Sequence, residues 1–275
     1  VEASSVKLLP ALFKLVETLH GTNTADATTS KKSVGDMDID SNEGQSQKDS
    51  GKASRNAQRV QAISDAIAEL ARICPQQFCQ NLFKKIMQRL LVAIQSEEEN
   101  SDKICTLLGL AQALVSSQSL DESSIFLLYR AIRPLIQSDE HDSRVQKRAY
   151  KVMAMICEKY GEFVTSSERL EEMTELMIAS IMTCHVSSRH MRLKCMAHIV
   201  GNLDSSNEDH THIIPKIMGE VLLCLKDSNG KTREASYQLL IKMAEKRDDM
   251  VDFFQIVLAA LGAQTSHMRS GAVGW

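Results

Sequence analysis

Asp142-Ser-Arg-Val-Gln-Lys-Arg-Ala-Tyr-Lys-Val-Met153 reads as a turn, then basic residues, then a helix with small and apolar side chains on one face. The same order recurs at Ser188-Arg-His-Met-Arg-Leu-Lys-Cys-Met-Ala197 and at Asn229-Gly-Lys-Thr-Arg-Glu-Ala-Ser-Tyr-Gln-Leu-Leu240. A truncated copy follows at Ser266-His-Met-Arg-Ser-Gly-Ala-Val273. With Ala149, Cys195, Ala235 and Ala272 aligned, the copies lie 46, 40 and 37 residues apart. Two-helix repeats of the HEAT and armadillo type have periods of about 40–47 residues, because one such pair cannot bury its apolar face alone and must stack on a neighbour. The pattern therefore predicts an all-α fold, a HEAT/armadillo-type α-solenoid built as a right-handed superhelix of antiparallel helix pairs.

Between the recurring helices lie their partners. Ile213, Ile217, Val221 and Leu225 recur every fourth residue, with Pro215 in the first turn, where a missing N–H costs little. Val145, Ala149, Val152 and Ile156 mark one face of the other helix type. Upstream, Phe83, Met87, Leu90 and Ile94, and then Ile104, Leu107, Leu108, Ala111 and Leu114, show the same periodicity. The spacing predicts about thirteen helices in roughly six stacked pairs. Twelve are delimited: 5–20, 54–73, 76–96, 101–117, 122–137, 143–160, 167–185, 188–203, 210–226, 231–246, 248–262 and 266 onward, with a candidate break at Pro10 inside the first. Residues 1–20 and 54–275 thus form the solenoid. Residues 21–53 are rich in Gly, Ser, Thr, Asp, Lys and Gln and poor in aliphatics, so they bury too little apolar surface to offset ordering. They read as a disordered acidic and polar insertion. It carries Ser33-Val-Gly-Asp36 and Ser46-Gln-Lys-Asp49, short patterns for acid-directed phosphorylation within what is otherwise a plain tether.

Composition agrees. Of 275 residues, 43% are hydrophobic and only 4% aromatic, with 12 Gly and 4 Pro, too few turn formers and aromatics for a β-sandwich. The net charge of −3 supplies no global field to attract nucleic acid, so any RNA contact must come from a local row of cations. Seven cysteines at irregular spacing, most of them among apolar helical residues, read as reduced, buried thiols. No apolar run is long enough to span a bilayer. The chain opens inside a repeat and stops early in a helix, so it reads as a fragment.

No Walker-type loop, G-x-S-x-G, H-E-x-x-H or kinase signature occurs, so no catalytic residue and no cofactor is assigned. Cys184, His185, His190, Cys195 and His198 form the richest Cys/His region. Without a C-x-x-C they read as packing rather than as a metal site, and no metal ligand is assigned. The basic residues carry the functional signal. Arg144, Lys147 and Arg148, then Arg189, Arg192 and Lys194, then Lys231 and Arg233, then Arg269, sit at the starts of the second helix of each pair. A solenoid stacks such positions in register, so they are expected to form a ladder able to hold phosphates or an acidic peptide. The competing role is structural, with an arginine paired to an aspartate of a neighbouring repeat such as Asp142 or Asp227. No interleaved aromatic set for base stacking is visible.

The run Lys226-Asp-Ser-Asn-Gly-Lys-Thr-Arg-Glu-Ala-Ser-Tyr-Gln-Leu-Leu-Ile241, followed by Leu261-Gly-Ala-Gln-Thr-Ser-His-Met-Arg-Ser-Gly-Ala-Val273, resembles the C-terminal solenoid of the ribosomal RNA-processing protein twelve-like family. Val145-Gln-Lys-Arg-Ala-Tyr-Lys-Val-Met-Ala154 and Met191-Arg-Leu-Lys-Cys-Met-Ala-His-Ile-Val200 are similar to it as well. The resemblance implies a non-enzymatic HEAT/armadillo scaffold of the nucleus and nucleolus, acting in pre-rRNA processing, small-subunit maturation and export. The partners it implies are pre-rRNA, pre-ribosomal particle proteins and nuclear transport factors, with no membrane and no small-molecule substrate. A soluble receptor of the importin-like kind, gripping protein cargo, or a generic protein adaptor stands as the alternative.

Overall fold

In a computed structural model, residues 2–25, 50–96, 100–138, 141–204, 207 and 212–246 are described, with 254, 255, 258 and 266 singly. Among them every regular element is helical. The chain forms two compact units, residues 1–128 and 129–275. Both are built of helices packed on helices, the all-α solenoid construction that the repeats predict.

In the first unit, α1 (Glu2–Ala25) packs on α2 (Ser50–Ile73), and α3 (Gln76–Gln95) on α4 (Ser101–Ser116). The α3–α4 connection is too short to allow anything but an antiparallel pair. The expected faces are the buried ones: Phe83, Met87 and Leu90 on α3, and Ile104, Leu107, Leu108, Ala111 and Leu114 on α4. On α3, Ala93 rather than Ile94 completes the buried stripe. Helix α1 runs through Pro10 without a break and on to Ala25, and α2 starts at Ser50. The rest of the expected insertion, with Ser33 and Ser46, lies outside the described residues. Arg72 Nη2 reaches the carbonyl of Ser116 at 3.5 Å, a link between helices 44 residues apart in sequence.

Helix α5 (Glu122–Gln137) carries the boundary between the units. The second unit continues with α6 (Ser143–Lys159), the short α7 (Gly161–Thr165), α8 (Ser167–Ala179), a 3₁₀ turn (Val186–Ser188), α9 (Arg189–Gly201), α10 (Ile213–Cys224) and α11 (Gly230–Glu245). Local chemistry starts the recurring helices. The Asp142 carboxylate accepts the Arg144 N–H at 2.8 Å, and Asn229 Oδ1 accepts the N–H groups of Lys231 and Thr232 at 2.8 and 3.3 Å. Each satisfies donors that a helix start leaves open. Gly161 meets a close approach: a Cβ there would stand 2.8 Å from Asn202 Oδ1.

The expected insertion at 21–53 is thus shortened at both ends by α1 and α2, and further differences lie in the second unit. Helix α7 was not legible as a separate element. Helix α8 ends at Ala179 rather than 185, and Met177 O in its last turn accepts from the Arg192 guanidinium and from Ser180 Oγ. The helices expected at 248–262 and from 266 lie, apart from single residues, outside the described residues.

Candidate nucleic-acid interface

Helices α6, α9 and α11, which carry the recurring basic pattern, pack side by side. Hydrogen bonds fix their register. Cys195 Sγ donates to Tyr150 O at 3.3 Å, Asn202 Nδ2 to Cys157 O at 2.8 Å, and Lys246 Nζ to Leu203 O at 2.8 Å. These partners lie 45, 45 and 43 residues apart, so the sequence period reappears as a set of rungs between successive helices. A second rail joins the turns before them. Gln146 Nε2 donates to Thr183 O at 2.9 Å, its Oε1 accepts the His185 N–H at 2.8 Å, and Arg189 pairs with Asp227.

This framework sorts the nine candidate cations by what each guanidinium or ammonium meets. Arg192 is fully buried. Its Nε donates to Met177 O at 2.9 Å and to Ser180 Oγ at 3.2 Å, and its terminal nitrogens reach Met177 O and the Glu220 carboxylate. Burial lowers its pKa against the attraction of its surroundings. A phosphate cannot reach it without opening the core, so Arg192 leaves the set of candidate ligand residues as an internal clamp across α8, α9 and α10. Lys147 is buried too. Arg189 is committed to Asp227, which is the inter-repeat pairing weighed for it at the level of sequence. Arg144 stays exposed, but holds its own cap residue Asp142 at 2.8 Å. Arg148 is half-buried, while Lys194, Lys231 and Arg233 stand exposed. Arg269 lies outside the described residues.

The same framework gathers cations that the turn pattern does not mark. His198 on α9 feels Lys194 on its own helix, Lys242 on α11, and Lys159 and Glu158 on α6. Lys159 and Glu158 pair with each other at 2.7 Å. Lys242 Nζ would stand 3.5 Å from a Cβ at Gly201, so this lysine leans across onto α9. Lys159 and Lys242 were missed because they sit at helix C-termini, away from the recurring basic turn. Only the stacking of α6, α9 and α11 brings them, with Lys194, into the field at His198.

Burial, and next Lys242, hold the His198 pKa below its ordinary value of 6.5. The unfolded chain therefore binds this proton more tightly than the folded one, and the native state loses stability as pH falls below about 6.5. Replacing His198 by Gln is expected to flatten the decline in thermal midpoint between pH 7 and pH 5, read by circular dichroism. An identical decline in both proteins would remove His198 from the acid response.

The Cys/His region forms no ligand sphere. Among the described residues no three His, Cys, Asp or Glu side chains gather as a metal site, and all seven cysteines are free thiols. Cys195 and Cys157 are buried, and burial pushes both thiols above their ordinary pKa, to about 12 for Cys157. No helix among the described residues is long and apolar enough to cross a membrane.

No family model matches the sequence. The chain is 28% identical over 185 residues to an RRP12-like protein of Homo sapiens, covering 66% of this chain and 13% of that protein. It is 28% identical over 203 residues to an RRP12-like protein of Gallus gallus, covering 72% and 14%. It is 24% identical over 203 residues to ribosomal RNA-processing protein 12 of Saccharomyces cerevisiae, covering 66% and 16%. The chain thus spans about a seventh of the length of the curated relatives it matches. An engineered protein of known crystal structure is similar over 95% of this chain and 93% of its own, at a TM-score of 0.47 and 14% identity.

Proposed function

From the kinship of this chain with the RRP12-like and ribosomal RNA-processing proteins, we propose that it is a non-enzymatic scaffold segment in ribosome biogenesis, which holds RNA by its phosphates on the α6–α9–α11 stack. The proposal extends to pre-rRNA processing and small-subunit maturation and export, with assembly factors and nuclear transport factors as protein partners and the nucleus and nucleolus as its place of action. What supports it is the set of cations that keep solvent access on these helices. Arg148, Lys194, Lys231 and Arg233 from the recurring turns, with Lys242, belong to three helices held in register. Each interaction is weak, and a polyanion that touches several at once gains affinity by releasing counterions. The reading asks for shape and backbone recognition rather than base sequence, which suits a surface with few aromatics.

Charge reversal tests it. Arg148→Glu, Lys194→Glu and Arg233→Glu together are expected to lower affinity for structured RNA by tenfold or more. They should also make the dependence of log K on log salt shallower by roughly 0.7–0.9 for each phosphate no longer neutralised, measured by fluorescence anisotropy across a salt series. Arg192 is left out of the set because its replacement would act through the fold. Binding that ignores these reversals but falls when exposed Ile181, Met182 and Val186 are made polar would favour the importin-like adaptor.

A further inference from the structure

At the start of α11 an open cavity of about 420 Å³ is lined by Leu225, Lys226, Gly230, Arg233, Glu234 and Tyr237. Its volume is within the range of small-ligand clefts, about 300–1,000 Å³. The scaffold residues above do not account for its chemistry. Arg233 is pre-set: Nη1 donates to the carbonyls of Asp227 and Ser228 at 2.9 and 3.0 Å, so the guanidinium is held without being paired to an acid. Gly230 lines the cavity without a side chain, and a Cβ there would meet Arg233 Nη2 at 3.5 Å, an ordinary contact distance. Lys226, exposed just after α10, adds a second cation. Tyr237 lies four residues after Arg233, hence on the same helix face, and is 43% exposed. The Glu234 carboxylate accepts from Gln238 at 2.9 Å and keeps acceptor capacity for another donor.

Each feature excludes a ligand class. A bare phosphate has no use for the ring and is repelled by Glu234. A purely apolar peptide finds only Leu225 and the ring, among three charges. A nucleotide meets all of them: an anion for Lys226 and Arg233, a flat face for Tyr237, and an N–H donor of the base for Glu234. A base in a duplex is stacked on its neighbours and cannot lie on the ring, whereas an unpaired one can. We infer that this cavity binds one unpaired nucleotide of a single-stranded RNA, its base stacked on Tyr237 and its phosphate held by Arg233 and Lys226. The inference rests on the RNA-scaffold reading above and adds a preference for unpaired segments to it.

The test uses the full chain and a fluorescein-labelled nonameric RNA, single-stranded or annealed to its complement, followed by anisotropy. The wild type is expected to prefer the single strand. Tyr237→Ala should weaken single-strand binding about tenfold and leave duplex binding unchanged, while Tyr237→Phe keeps the preference. Gly230→Leu, which fills the cavity, should act as Tyr237→Ala does. Should it unfold the chain, the Tyr237 pair decides alone. Equal single-strand affinity for wild type and Tyr237→Ala overturns the nucleotide site, and if charge reversal at Arg148 and Lys194 still abolishes binding, the scaffold reading stands without it. No RNA binding by the wild type overturns both. Tyr237-dependent binding of an acidic phosphopeptide that displaces RNA overturns the nucleotide assignment in favour of a protein ligand.

Discussion

Arg192→Met is expected to destabilise the second unit by about 3–5 kcal/mol, among the largest single-residue effects in this chain. The side chain is fully buried, with its guanidinium against Met177 O, Ser180 Oγ and the Glu220 carboxylate. Methionine fills much of the volume but donates nothing, so Glu220 is left as a partly buried charge without its counterion, and Met177 O keeps only the Ser180 hydroxyl as a side-chain donor. Most of the cost is that uncompensated desolvation rather than the strength of the pair itself. The double replacement Arg192→Met with Glu220→Leu should therefore recover most of the stability. Lys194→Met, two residues along and exposed, should change stability by less than about 0.5 kcal/mol. Urea unfolding followed by circular dichroism measures all three. A single replacement costing under about 1 kcal/mol would show that the clamp is not needed, and would return Arg192 to the surface set.

Leu239→Ala is expected to cost about 2–5 kcal/mol. Leu239 lies on the α11 face with Ala235, Leu240 and Met243, and is fully buried. Removing its terminal carbons forfeits their transfer free energy and leaves a void that packed helices close only in part. Ile217→Ala on α10, at 3% exposure, falls in the same range. Tyr237→Ala, on the outer side of the same helix as Leu239, should stay within about 0.5 kcal/mol, which keeps it usable as a binding variant. The denaturant midpoint and slope check these together. Equal effects at Leu239 and Tyr237 would mean that the buried stripe of α11 has been misplaced.

The helix stripes could be read in advance because the 3.6-residue period is a property of neighbours in the chain. Ile104 to Leu114 and Val145 to Ile156 are buried where their spacing puts them. Caps are equally local, and Asp142 and Asn229 act on N–H groups two or three residues away. The resemblance to rRNA-processing proteins was likewise read from the runs around Val145, Met191 and Lys226, and the chain is 24–28% identical to such proteins over 185–203 residues.

The fate of the cations was not local. Arg192 and Lys194 stand two positions apart in one motif, yet one is sealed in the core and the other is in solvent. A step of two residues turns a helix through about 200°, so which of the pair faces inward depends on where α8 and α10 lie, not on the motif. Arg189 meets Asp227 from 38 residues away, and Lys159, Lys194 and Lys242 meet His198 from three helices. Periodicity within the chain was enough to specify the repeat and the core faces of most helices. The assignment of each positive charge to clamp, rail or open surface was made only when the helices stacked, because burial and charge pairing depend on distance in space between groups the chain holds far apart.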